Sequence, residues 1–269
     1  MAFQFQPRSK FALLAVEHVY SELPEPEVQL TDGTWALSGV PLPDLGIWTE
    51  WIGSIGVRRL KTANLILLRQ EAAENPQIVD AVHQRLDDDL TRLFYLLQLS
   101  SVVEYEGAEL LLGSSVDGQP QIRQISELHK FYPSKGYTRI PCTVDRMNEA
   151  IQLREGLKQM ETVPAAGFIR GMNALTDGLM RNNGQDRLHQ FVRGLEALIV
   201  PDIGQTKKQF VHRCQTFAVA SPVAAQVLGE AFDMRSDTEH LQDWERALHT
   251  YPVGERDDVA WLPSYSFSS

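Results

Sequence analysis

Three short interruptions, Asn182-Asn183-Gly184, Pro201-Asp202-Ile203-Gly204 and Ser221-Pro222, cut the second half of this 269-residue chain into segments and leave few folds open to it. Each is a cluster of turn formers between stretches whose apolar residues recur at helical intervals. The spacing predicts helices over roughly 144–161, 165–181, 185–200, 204–219 and 222–249. Connections this short make successive helices antiparallel neighbours, so the expected arrangement is an up-and-down bundle.

The first half reads differently. Phe3-Gln4-Phe5 alternates, and Val28 to Leu37 carries Asp32-Gly33 between apolar alternations, which signals a hairpin; Pro24, Pro26, Pro41 and Pro43 punctuate this strand-rich start. From Asp44 the period lengthens. Trp48, Trp51, Ile52, Ile55, Leu60, Leu67 and Leu68 recur near helical spacing, and a second helix is expected from Asn75-Pro76 to about Leu99, with Val79, Val82, Leu86, Leu90, Leu93, Phe94 and Leu97 on one face. The two are read as a helix pair. Val102 to Gly113 and Gln119 to Ile125 then flank Val116-Asp117-Gly118, giving a short antiparallel ribbon, and Phe131 to Pro141 reads as the connection between halves. The fold class is therefore α+β, mainly α: an N-terminal helix and strand-ribbon domain over 1–143, a helical bundle over 144–254, and a mobile tail over 255–269.

Composition removes several functions. Cys142 and Cys214 lie far apart without a CxxC or a histidine cluster, so neither a disulfide framework nor a zinc site is expected, and both read as reduced thiols. No metal or other cofactor is expected. Gly53-Ser-Ile-Gly56 lacks the lysine of a phosphate-binding loop, no GxSxG elbow is present, and Asp87-Asp-Asp89 reads as a solvated helix face. The apolar run Phe11 to Val16 stops at Glu17-His18, too short for a signal peptide, and no stretch is long enough to cross a bilayer, so a cytoplasmic, non-membrane protein is expected.

A net charge of −10 argues against broad binding of nucleic acid, which needs a basic surface. The average conceals an asymmetry. Residues 165–215 hold Arg170, Arg181, Arg187, Arg193, Lys207, Lys208 and Arg213 against Asp177, Asp186, Glu196 and Asp202, whereas 216–269 hold three arginines against nine acids. A focused basic patch on an acidic chain would admit RNA at one place, and the plain alternative is an ordinary solvated helix face.

Late in the last expected helix stands Phe232-Asp-Met-Arg235-Ser-Asp-Thr-Glu-His240. Arginine grips phosphate through a planar donor fork and histidine moves protons near neutral pH, the minimal requirement of phosphodiester chemistry. Arg123-Gln-Ile-Ser-Glu-Leu-His129 fits the same loose pattern, but among strand-like residues, and reads as accidental. On an ideal helix Val227, Ala231, Met234, Thr238, Leu241 and Leu248 form the core stripe, and Arg235 and His240 flank it roughly 140° apart. One phosphate reaches both if the helix is irregular there, if the arginine bends across, or if two copies face each other about a two-fold axis. An arginine beside an apolar seam needs an anion: Glu239 supplies an (i, i+4) pair, and Glu196, within Leu195-Glu-Ala-Leu198, is the sharper candidate from a neighbouring helix. A purely structural salt bridge between helices is the competing reading.

Three segments in order, Arg187-Leu-His-Gln-Phe-Val-Arg-Gly-Leu-Glu196-Ala-Leu, Phe210-Val-His-Arg213-Cys-Gln-Thr-Phe-Ala, and Phe232 to His240, resemble the HEPN superfamily, in particular its Apea-like group. The likeness spans about residues 165–250; Ser236 after the arginine and Leu241 after the histidine depart from the pattern of several relatives. It implies a helical bundle that dimerises and, in catalytic members, metal-independent RNA cleavage where the Arg/His motifs of two subunits converge. Carried over, Arg235 would steady the scissile phosphate, His240 would transfer the proton of the attacking 2′-hydroxyl, and Glu196, with Arg213, would orient them. Arg187, Arg193, Lys207, Lys208 and Arg213 would bind RNA. The resemblance implies a second copy of the chain as partner and allows an antitoxin or other regulator, as in a toxin or phage-defence system. Two readings stand beside this one: a non-catalytic HEPN protein that binds RNA, a nucleotide or a protein, and a helical interaction protein in which Arg235 and His240 only stabilise packing.

Overall fold

The apolar run Phe11 to Val16 becomes a central strand. In the computed structural model, which describes residues 2–43, 48–101, 105, 107–128, 140–160, 166–181, 183–201, 204–217, 220–240 and 251–252, β1 (Ser9–Glu17) is buried along nearly its whole length. There follow β2 (Ser21–Glu22), β3 (Glu27–Gln29), β4 (Trp35–Leu37), α1 (Trp48–Thr62), β5 (Leu65–Ala72), α2 (Ala81–Ser101), β6 (Gly107–Val116), β7 (Gln119–Leu128), β8 (Cys142–Thr143) and α3 (Val144–Met160). Then come α4 (Ala166–Met180), α5 (Gly184–Ile199), α6 (Thr206–Phe217) and α7 (Pro222–Glu239). The protein is α+β. Six antiparallel strands run in the order β3-β4-β5-β1-β6-β7, while β2 and β8 form a small parallel pair.

Contacts divide the chain into two units, Met1–Phe131 with Thr138–Glu155, and Tyr132–Tyr137 with Gly156–Ser269. The division falls inside α3, between Glu155 and Gly156, and not at the start of that helix.

In the first unit, strand alternation sends Phe11, Leu13 and Ala15 to one face, where they pack with Leu60 and Ile52 of α1. The opposite face carries Lys10, Arg69 and Glu71, which pair with Asp80 just before α2 and with Asp89 and Arg85 within it. The two helices therefore cover opposite faces of the sheet, which corrects the expected helix pair. A second correction concerns Leu67 and Leu68: they belong to strand β5, not to the helix, which ends at Thr62. The hairpins fall where the turn residues put them. Gly33 adopts φ 84 between β3 and β4, and Asp117 and Gly118, at φ 52 and 79, close β6 onto β7, the double positive φ of a type I′ turn. This ribbon is no separate element, because β6 also pairs with β1.

Asp32 does more than turn the chain. Its carboxylate accepts from Thr34 N–H at 2.9 Å, from Arg69 at 2.5 Å and from Arg154 of α3 at 2.6 Å. Arg154 is fully buried and also reaches the Asp89 carbonyl at 3.1 Å. Asp89 is buried too, so the Asp87-Asp-Asp89 run is not uniformly a solvated face.

In the second unit Asn183 caps α5 and Ser221 caps α7, each through its side-chain oxygen. α4 and α5 approach closely because both lack a side chain at the crossing: a Cβ on Gly171 would lie 2.9 Å from the Gly194 carbonyl oxygen, and one on Gly194 would lie 2.6 Å from the Leu175 side chain. Leu188 and Val192 of α5, Phe210 and Cys214 of α6, and Leu228, Ala231 and Met234 of α7 form the core. Met234 and Ala231 lie in it as the helical stripe predicts. α7, expected to reach 249, ends at Glu239 with His240 as its C-cap; Leu241 and Leu248 lie outside the described residues, as do His129, Trp261 and the tail from 255.

Candidate functional site

The ends of α5 and α7 bring together the groups with chemical potential. His189, Arg193 and Glu196 stand at i, i+4 and i+7 on one face of α5, and Arg235 and Glu239 at i and i+4 on α7. The Arg235 guanidinium bridges the two helices: one terminal nitrogen lies 2.8 Å from Glu196 Oε2, the other 2.8 Å from Glu239 Oε2. Its Cζ sits 5.8 Å from the centre of the Phe232 ring, and its Nε is buried without a hydrogen-bond partner. The arginine is partly exposed, at 20%, against 14% for Glu196 and 37% for Glu239. A cation facing water on one side and holding two carboxylates on the other can exchange one of them for another anion.

The electrostatics of the cluster are unusual for an ion pair. Burial raises the Glu196 carboxyl above its ordinary range, and Glu239 adds to the effect, despite the opposing pull of Arg235 and Arg193. Burial likewise lowers His189 below the usual imidazole value, an effect that Arg193 and Arg235 reinforce and Glu239 opposes. The Arg235 backbone works against that lowering, and Nδ1 of the ring is buried without a hydrogen-bond partner.

His240 is placed apart from this cluster. As the C-cap of α7 it has φ −91 and ψ 9, its backbone N–H points to the carbonyls of Ser236 and Thr238, and the residue is exposed. The structure thus joins Arg235 to Glu196, and His240, exposed at the end of the same turn, takes no part in that pairing.

The sequence-derived RNA contacts are dispersed. Arg187 is 1% exposed and gives Nε and a terminal nitrogen to the Arg181 carbonyl, at 3.0 and 2.6 Å, which places it inside the bundle. Arg213 of α6 holds the carbonyls of Ile199 and Val200 at the end of α5, where Val200 adopts a left-handed φ of 46. Arg193 is exposed beside the cluster. Lys207 pairs with Asp233 at 2.5 Å, and with Lys208, Val211 and Gly229 it lines an open groove of about 640 Å³ between α6 and α7. Its charges balance, since Glu230 and Asp233 complete the lining.

The residue that sequence reasoning missed is His189. Its signal was the shared face with Arg193 and Glu196, three chemically active side chains at helical spacing. Cys142 and Cys214 are free buried thiols whose pKa burial lifts to about 12, which makes both poor nucleophiles. Among the described residues no group of His, Cys, Asp and Glu is arranged to hold a metal ion, and no helix is long and apolar enough to cross a membrane. No protein-family model, curated protein or solved structure matches the chain.

Proposed function

We propose that the second unit is a HEPN-type, metal-independent endoribonuclease module in which Arg235, His240 and Glu196 face the RNA. The observation that supports this best is the Arg235–Glu196 ion pair across α5 and α7, at the turn from which exposed His240 projects. Arg235 would give up one carboxylate to grip the scissile phosphate and offset its developing charge. His240 would take the proton of the 2′-hydroxyl as its oxygen attacks phosphorus; the bond to the 5′-oxygen breaks, a proton passes to that oxygen, and a 2′,3′-cyclic phosphate remains. Glu196 holds Arg235 between turnovers, and its raised pKa eases its release. A second copy of the chain would bring another Arg/His pair to the site, and a restraining protein partner fits a toxin or defence role.

A binding protein without catalysis is favoured by one observation: both terminal nitrogens of Arg235 already carry carboxylates. The two readings separate in one assay. Wild type and a folded His240→Ala variant are incubated with mixed cellular RNA in excess EDTA, and the RNA ends are analysed. Cleavage leaving cyclic phosphate, reduced at least about 100-fold in the variant, is expected; RNA intact in both but retained by the wild type would replace the nuclease with a binding protein.

A further inference from the structure

The ladder between β6 and β7 slips at one point. Leu112 pairs with Gln124 and Gly113 with Ile122, so Arg123 is the extra residue of a bulge, and its Nε donates to Ser114 Oγ at 3.3 Å. Beside that slip the Gly113 carbonyl lies 2.9 Å from Nε2 of His83, in the first turn of α2. A carbonyl only accepts, so the proton sits on Nε2 and Nδ1 keeps a lone pair. Nδ1 is buried without a hydrogen-bond partner, and what faces it is another acceptor, Asp80 Oδ1, at 3.8 Å. Asp80 Oδ1 also caps α2 by accepting the Val82 N–H at 3.0 Å, while Oδ2 holds Nζ of the buried Lys10 at 2.5 Å. Lys10 is in turn the cross-strand partner of Ser114. Two acceptors face to face in a buried place, with cations on either side, call for an explanation.

We propose that His83 is an acid-operated latch: neutral, it clips the first turn of α2 to the slip in the sheet, and on taking a proton it lets that turn go. The charges decide the direction. A proton on Nδ1 would set an imidazolium at the positive end of α2, beside Lys10 of β1 and Arg123 of β7, with the Asp80 carboxylate shared among them. Glu71 of β5 lies across from Lys10 but is gripped by Arg85 of α2 at 2.7 and 2.8 Å, and Asp87, one turn beyond His83, accepts from Thr91. His83 is wholly buried, so no water spreads the excess positive charge. Burial accordingly holds the imidazole below its usual 6.5; Lys10 and Arg123 reinforce the lowering, and the Gly113 bond and Asp80 oppose it without prevailing. A histidine lowered on folding contributes fully above 6.5, and its contribution falls as the pH drops from there toward the folded value. Asp80 titrates in a lower window, since the Lys10 bond holds it below 3.8. Asp80 and the preceding Ile78 and Val79 are exposed, so this turn can lift without drawing those side chains out of the core. Opening lets the imidazole charge in water and uncovers Lys10. The latch belongs to the sheet unit and stands apart from the nuclease reading.

The test uses the full chain and nuclear magnetic resonance. Ring nitrogen shifts report the tautomer and titration of His83, whose signals are assigned by their loss in His83→Gln, a variant that keeps a donor for the Gly113 carbonyl and cannot titrate. Expected in the wild type are an Nε2-protonated ring and a titration midpoint below 6.5. Protection of the Val82 and Gln84 amides, both bonded to Asp80, should fall severalfold between about pH 7.5 and about pH 5.5, with about tenfold as the ceiling one pH unit below the free-histidine value. Protection at the centre of β1 should hold over the same range, and in His83→Gln the two α2 amides should be protected equally at both pH values. If His83→Gln does not fold, the ring titration and the α2 protection of the wild type decide alone. An Nδ1-protonated tautomer, a midpoint at or above 6.5, unchanged α2 protection in the wild type, or the same fall in folded His83→Gln overturns the proposal.

Discussion

Both units of the protein contain arginine held by carboxylates, and the two networks are built in opposite ways. In the sheet unit one carboxylate, Asp32, receives two arginines, a backbone N–H and a hydroxyl, and its arginine partner Arg154 is fully buried. In the helical unit one arginine, Arg235, receives two carboxylates, stays partly exposed and keeps its Nε unmatched. Their ionisation follows. Burial works to raise Asp32, but the Thr34 and Arg154 hydrogen bonds outweigh it and hold the carboxyl below its usual value, whereas for Glu196 burial prevails and the carboxyl is raised. A network whose acceptor is saturated by donors serves the fold. One whose centre is a partly exposed cation between two carboxylates is poised to exchange partners.

The contrast can be broken by neutralising each carboxylate without changing its size. Asp32→Asn takes the buried carboxylate from Arg154, which keeps Glu155 at 2.8 Å, and from Arg69, and is expected to cost about 1.5–3 kcal/mol, read as a fall in the urea midpoint of the sheet unit by amide exchange along β1. An equal loss on Glu196→Gln would erase the distinction. The expected cost there is about 1 kcal/mol or less, read from amide exchange along α5, because burial already works against the charge on Glu196 and Arg235 keeps Glu239.

The smallest effect sharpens the comparison through pH. Asp32, lowered on folding, contributes stability present above its ordinary value of 3.8 and lost as the pH falls through its folded value. Glu196, raised on folding, binds its proton more tightly in the native state, so its contribution declines as the pH rises from 4.5 through its folded value. In a His189→Phe background, which removes the histidine titration, protection of β1 should fall on acidification while protection of α5 rises slightly. Asp32→Asn should flatten the first slope and Glu196→Gln the second.

The hairpins were legible because Asp32-Gly33 and Asp117-Gly118 announce them with residues that tolerate positive φ. Strands β1 and β5 were not. Each lies in the middle of the sheet with both faces covered, so Phe11–Val16 and Leu65–Leu68 show unbroken apolar runs without the alternation that marks a strand. Arg235 and Glu196 were legible as a pair because an arginine beside an apolar seam must find an anion. His189 was missed although it shares a face with Arg193 and Glu196, because what makes it matter, its burial against α7, is set by a helix distant in sequence. Arg187 shows the converse, since a positive charge looks the same in sequence whether it meets water or, as here, a carbonyl inside the bundle.

The end of α7 at Glu239 has one more consequence. Within a continuous helix each residue inserted or deleted between Arg235 and His240 would swing the histidine by about 100° around the axis. Although His240 lies just beyond the last helical residue, its backbone N–H still bonds the Ser236 carbonyl four residues back, so its direction follows the phase of the helix. The spacing between the two residues is thus an angle as well as a length, and changing it by one residue would carry the histidine to another side of α7.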